Sequence, residues 1–203
     1  MKEINFLHDK IMTFNFKTTF STSYFNIEEG FDVNKPGSSP YYRMTGSDSV
    51  ICCVMTMEEE FVMVRQYRPS INEYSLEFPA GGLLKNEKPI EAAKREFLEE
   101  TSLSTDFVYL GDFRLMINRT NIREHIFFGI NLKNTSQIIP EKGIEVHFVK
   151  RNRLLKLTDS GSYKQLAGLG IIQLASSYFK LNIMSEPMEA VMKKFKEKKN
   201  YEG

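Results

Sequence analysis

The sequence predicts an α/β (α+β) fold in which a mixed β-sheet packs between helices, behind an N-terminal strand arm. Three observations predict it. Short β-rich runs stand on both sides of one strongly helical segment, and further helical patterns close the chain. The length, 203 residues, suits one main domain with a sizeable core and an added arm, and is short for two independent domains. We therefore read residues 1–47 as an arm or small antiparallel strand layer, with a possible role in dimerisation, and 48–203 as the main domain.

Residues 1–47 are irregular, rich in Phe, Thr, Ser and Asn, and end in the breaker stretch NKPGSSP. From Val50 the pattern tightens. VICCVMTM and FVMVRQY are two strand-like runs separated by the acidic Glu58–Glu60, a hairpin that leads into a third short strand at YSLEF. A glycine-rich turn and a helix from about Pro89 to Thr101 follow. FVYLGDF, EHIFFGINL and IEVHFVK are the next strands, ahead of helical patterns over 151–157 and 163–179. The basic end, VMKKFKEKKNYEG, reads as a solvated, fraying helix terminus.

Composition narrows the function classes. The 27 basic residues nearly balance 26 acidic ones, so there is no whole-protein field to attract nucleic acid or an anionic membrane. No run approaches the roughly 18 apolar residues of a membrane span, and no export or anchoring signal is visible, which points to the cytoplasm. Cys52 and Cys53, neighbours in one apolar run, should face opposite sides of a strand as packed thiols and not as a disulfide or zinc site.

The chemistry concentrates on the helix. In REFLEE, Glu96, Glu99 and Glu100 fall at i, i+3 and i+4, so all three share one helix face. Ile90, Ala93 and Phe97 form the opposite stripe, which can pin the helix to a sheet. Pro89 suits the first helical turn. Three like charges repel unless neutralised, and hard carboxylate oxygens without Cys or His select Mg²⁺, with Mn²⁺ as an alternative. An isolated acidic face is also the ordinary pattern of a solvated surface. The wider spacing changes that reading, because Gly81 is followed by Glu87, Arg95, Glu96, Phe97, Glu99, Glu100 and Leu103.

This pattern resembles the Nudix box: a glycine, a spaced glutamate, then Arg-Glu-apolar-x-Glu-Glu-x-Gly-apolar. Gly81 and Glu87 take structural positions in it, and Glu87 with Arg95 makes sense as a bidentate pair tying loop to helix. Ser102 stands where the family has glycine, at a helix end that often needs a left-handed backbone; the expectation is a cost of roughly 1 kcal/mol or a different cap. The run VRQYRPSINEYSLEFPAGGL is similar to the segment before the box in ADP-ribose pyrophosphatases and related nucleotide-sugar diphosphatases.

That resemblance implies a Nudix-type α/β/α sandwich and a metal-dependent hydrolysis of a nucleoside diphosphate linked to another moiety. An ADP-sugar such as ADP-ribose would give a nucleoside monophosphate and a sugar phosphate. It implies metal ligands at Ala80 (backbone carbonyl), Glu96, Glu99 and Glu100, with Arg95 and Glu99 also in the catalytic group. Glu77 would fix the loop or meet substrate, and Arg68 would face phosphate or ribose, or else form a surface ion pair. Past the box, Arg119 stands near the place where ADP-ribose enzymes carry a proline. Arg119, Arg123 and His125 are read either as anion-binding groups or as ordinary surface residues. The general base comes from PEKGIEV, as Glu141 or Glu145; Glu141 is favoured because Glu145 alternates within a strand. The family also implies a homodimer, with Phe25, Phe31, Tyr41 and Tyr42 either stacking a base or packing locally. GDP-sugars, dinucleoside polyphosphates, nucleotide cofactors, or a non-catalytic nucleotide-sensing role are the alternatives.

Overall fold

The computed structural model describes residues 13–131 and 139–199. They divide into two units: the described part of Met1–Ser47 with Met116–Ile122, and Asp48–Leu115 with the described part of Arg123–Gly203.

In the first unit β1 (Phe14–Ser21), β2 (Phe25–Asp32) and β3 (Tyr41–Gly46) form an antiparallel sheet in that order. The Thr22 hydroxyl closes the first hairpin, donating to the Phe25 carbonyl and accepting from the Phe25 N–H, both at 2.9 Å. The later segment Met116–Ile122 joins this sheet: the Met44 N–H donates to the Arg119 carbonyl at 2.8 Å, and the Tyr41 hydroxyl to the Asn118 carbonyl. Local partners occupy several of its polar and aromatic groups. Arg43 pairs with Glu28 at 2.7 Å and lies 3.6 Å over the Phe16 ring, while Tyr42 donates to Glu29 at 2.6 Å.

The second unit is built on β4 (Ser49–Thr56), β5 (Glu60–Arg68), β6 (Glu73–Glu77), β7 (Ala80–Gly82), β8 (Phe107–Phe113), β9 (Glu124–Asn131) and β10 (Ile144–Lys150). The main strand order is β10-β5-β4-β9-β8, with β4 and β9 parallel and the other pairs antiparallel. β4 is buried on both faces, as its unbroken apolar run requires. Ile51, Cys53 and Met55 enter one core and Val50, Cys52 and Val54 the other, so the two thiols do face opposite sides. Burial pushes both thiols well above the ordinary range, which keeps them protonated and inert.

Helices cover both faces. α1 (Pro89–Thr101) sets Ala92, Ala93 and Phe97 onto the Val50 side, where the Phe97 ring meets Phe107 edge-on at 5.7 Å. α2 (Arg151–Asp159), α3 (Leu166–Phe179) and α4 (Met188–Lys199) cover the other face through Leu154, Ile171, Phe179 and Phe195. The unit is thus an α/β/α sandwich. The last helix corrects the sequence reading of a fraying end over its described part. Met188, Val191 and Phe195 recur at helical spacing and are buried, while Lys193 faces away from that stripe. Among the described residues no helix is long and apolar enough to cross a membrane.

One irregularity of the sheet positions the site. β4 and β5 pair only near their hairpin, at Val54–Val62 and Met55–Phe61, and then part. β6 pairs with β5 from Val64 onward, and β7 pairs with the start of β4. The link between β6 and β7, Phe78–Pro79, therefore crosses the opening between two core strands, and the glutamates of α1 meet the backbone there.

Candidate active site

Alternation in an antiparallel ladder decides which way the β7 backbone points. The Pro79 carbonyl accepts the Cys52 N–H at 2.8 Å, so the next residue, Ala80, turns its N–H and carbonyl away from β4. The Ala80 N–H donates to Glu100 Oε2 at 3.1 Å. At Gly81 a Cβ would overlap the Glu96 carboxylate in its present position, so the glycine lets that side chain lie against the β7 backbone. The structure thus brings Ala80, Gly81, Glu96 and Glu100 into one contact group.

Glu100 is only 5% exposed. Burial drives its carboxyl up to about 8, against the opposing Ala80 hydrogen bond; Glu96 and Glu77 push it further up and Arg68 pulls it down. Cysteine and histidine play no part in this group. Oxygen donors of this kind, one of them a buried carboxylate with no cation bonded to it, fit a hard divalent ion such as Mg²⁺. Glu99, on the exposed side, joins through Arg95.

Arg95 is the hub of the charged face. It grips Glu87 bidentately, Nε to Oε1 and Nη2 to Oε2, both at 2.8 Å. Its Nη1 also reaches Glu96 at 2.7 Å and Glu99 at 3.2 Å, and Nη2 donates to the Gly82 carbonyl at 3.0 Å. Glu87 accepts the Leu84 N–H as well, and Arg95 holds its carboxyl down at about 2. Arg95 thus locks the Gly82–Glu87 loop to the helix and also neutralises two of the carboxylates assigned to metal. In this arrangement, among the described residues, no three His, Cys, Asp or Glu side chains are placed to hold an ion.

A second bidentate pair stands on the other side of the opening. Arg68 donates from Nε to Glu77 Oε1 at 2.9 Å and from Nη2 to Oε2 at 2.6 Å, with Glu77 buried and Arg68 partly exposed. Arg123 lies 3.5 Å from Asp112 and 4.0 Å from Asp48, and its N–H donates to Asp48 at 2.8 Å. His125 is buried, 3.0 Å from the Tyr109 hydroxyl and 3.6 Å from Asp48. Arg119 belongs to the other unit, its guanidinium 5.5 Å from the centre of the Tyr41 ring.

The two base candidates differ in their ties. Glu145 is exposed on β10, and both of its carboxylate oxygens accept from Arg65 Nη1, at 3.1 and 3.0 Å. Glu141 is exposed before β10, and its N–H donates to the Glu99 carbonyl at 3.1 Å, next to the acidic face. Gln165, just before α3, was not singled out from sequence. Its Oε1 accepts the Phe78 N–H at 3.0 Å and the hydroxyl of buried Tyr163 at 3.2 Å, which supports the Phe78–Ala80 turn across 87 positions of chain. No local pattern marks such a contact.

Comparison with known proteins agrees with this geometry. The family described as "NUDIX domain" matches residues 47–168. An ADP-sugar pyrophosphatase of Mus musculus is 50% identical over 40 residues, which is 20% of this chain and 18% of that protein. The match thus spans under a fifth of the curated relative. A solved structure titled "Crystal structure of ADP compounds hydrolase" has a TM-score of 0.67 at 18% identity, over 84% of this chain and 95% of that one, a likeness of fold. With the box residues gathered at the parting of β4 and β5 and the family pattern covering more than half of its length, the chain belongs to the Nudix family.

Proposed function

We propose that the chain is a Mg²⁺-dependent pyrophosphohydrolase, with Mn²⁺ able to substitute, that cleaves a nucleoside diphosphate linked to another moiety. An ADP-sugar such as ADP-ribose is the substrate favoured, giving a nucleoside monophosphate and a sugar phosphate. The observation that carries this reading is the buried Glu100 carboxyl beside Glu96 and the Ala80 turn. A carboxyl left without a cationic partner in the low-dielectric opening is poorly accommodated unless an ion joins it.

Ala80, Glu96, Glu99 and Glu100 would hold the ion. When bound, it would supply charge neutralisation to the diphosphate and acidify a coordinated water. The chain's own residues do the rest. Arg95 and Glu87 keep the helix and loop in register. Arg68, oriented by Glu77, offers its exposed edge to a phosphate or ribose, and Arg123 would meet the substrate by exchanging its loose pairing with Asp112 and Asp48. Glu141 takes the proton of the attacking water as its oxygen joins phosphorus and the anhydride P–O bond breaks. Glu145, held by Arg65, is the less suited base. The reading includes a homodimer in which the N-terminal strands complete the partner's site, with no nucleic-acid or membrane partner and a cytoplasmic location.

Incubation with Mg²⁺ and a panel of ADP-sugars, GDP-sugars, dinucleoside polyphosphates and nucleotide cofactors tests the assignment. Release of AMP and a sugar phosphate from an ADP-sugar supports it. Cleavage of another panel member moves the specificity. Binding without cleavage of any member would make the chain a nucleotide-sensing module.

A further inference from the structure

The serine that replaces the family's glycine at the end of α1 has acquired contacts that glycine cannot make. Ser102 sits in the left-handed region at φ 57°, and its N–H donates to the Leu98 carbonyl at 2.8 Å, so the backbone role of the cap is kept. A side chain there is disfavoured relative to glycine. Its hydroxyl, however, donates to the Ile139 carbonyl at 2.5 Å and accepts the Ile139 N–H at 3.2 Å. One hydroxyl can do both, having one donor and two acceptor positions.

Two residues further on, the Glu141 N–H meets the Glu99 carbonyl, one of the four at this helix end that lack an intrahelical partner. The Glu141 carbonyl in turn accepts the Ile144 N–H at 3.1 Å, which leads directly into β10. The segment 139–141 is thus bonded at both ends to the last turn of α1. Only the Ile139 end depends on a side chain.

We propose that Ser102 is a positioning residue: its hydroxyl fixes Ile139, and through it Glu141, against the turn of α1 that carries Glu99 and Glu100. The inference rests on the pyrophosphohydrolase reading with Glu141 as base. It assigns a use to the departure from the family pattern, because the strain of the left-handed serine is offset by order in the base-bearing segment.

Ser102→Gly removes strain and tether together, and the two are read apart because strain shows in the melting temperature and the tether in kcat. Its melting temperature stays level or rises, while kcat falls about five- to tenfold and KM stays within about twofold, the pattern of a misplaced reacting group. Amide exchange at Ile139 and Glu141 accelerates about tenfold. Ser102→Asn, which tolerates the left-handed backbone and keeps a donor and an acceptor, recovers at least half of the lost kcat and the slow exchange. A Ser102→Gly chain with wild-type kcat overturns the proposal. So does unchanged exchange at Ile139, and that result stands even if the wild type hydrolyses no diphosphate, so failure of the tether and failure of the reaction reading are told apart.

Discussion

Glu87 and Glu100 belong to one motif and face opposite fates. Glu87, in the loop before α1, has two nitrogens of Arg95 and the Leu84 N–H on its oxygens, and its carboxyl is held down at about 2. Glu100, on the last turn, is pressed into the opening between β4 and β5 with the Ala80 N–H as its bonded partner, and burial raises it to about 8. Both are little exposed. The difference lies first in depth, since burial is what raises Glu100 while Arg68 acts on it only from nearby, and second in bonding, since Arg95 donates directly to Glu87. A charge that already has its cation is structural, whereas a buried carboxyl that lacks one is suited to receive an ion.

Breaking the Glu100 side should have the larger effect. Glu100→Gln keeps the shape and the Ala80 contact but removes the negative oxygen. Turnover of the cleaved panel substrate should fall by about 10²- to 10³-fold, measured as kcat at saturating Mg²⁺, with thermal stability preserved. A Gln variant within threefold of wild type would make Glu100 structural like Glu87. Breaking the other side should reverse the pattern. Arg95→Ala strands Glu87, Glu96 and Glu99 together, and denaturant unfolding in EDTA should show a loss of about 2 kcal/mol. Mg²⁺ should return part of that loss, because Glu96 and Glu99 are then free for the ion.

Much of this contrast is legible in the sequence. α1 runs over Pro89–Thr101 as expected, because proline suits its start, a buried stripe runs through it and the chain turns left-handed at Ser102. The Glu87–Arg95 pair is expected from the resemblance to the family box and is present. Local patterns do not record long-range geometry. The parting of β4 and β5 depends on β6 and β7 arriving later in the chain, and with it the burial of Glu100 beyond Glu99, one residue away. Gln165 is remote from the box, and the lysines of α4 mask a stripe of only three buried residues. Arg119 sits in a run that joins the N-terminal sheet and not the unit that follows it.

Glu100 is a buried carboxyl to which no cationic side chain is hydrogen-bonded. Below the ordinary carboxylate value of 4.5 both folded and unfolded chains hold the proton; between there and about 8 the folded chain keeps it while the unfolded chain has lost it. Stability from this group is therefore full at low pH and declines as pH rises through that window. The direct measurement is thermal unfolding of wild type and Glu100→Gln at pH 5 and pH 8, each in EDTA and in Mg²⁺. Relative to Glu100→Gln, wild type in EDTA should lose about 5 °C or more between pH 5 and pH 8, and Mg²⁺ should restore it at pH 8. Parallel pH dependence of the two proteins in EDTA, with equal stabilisation of both by Mg²⁺, would contradict it.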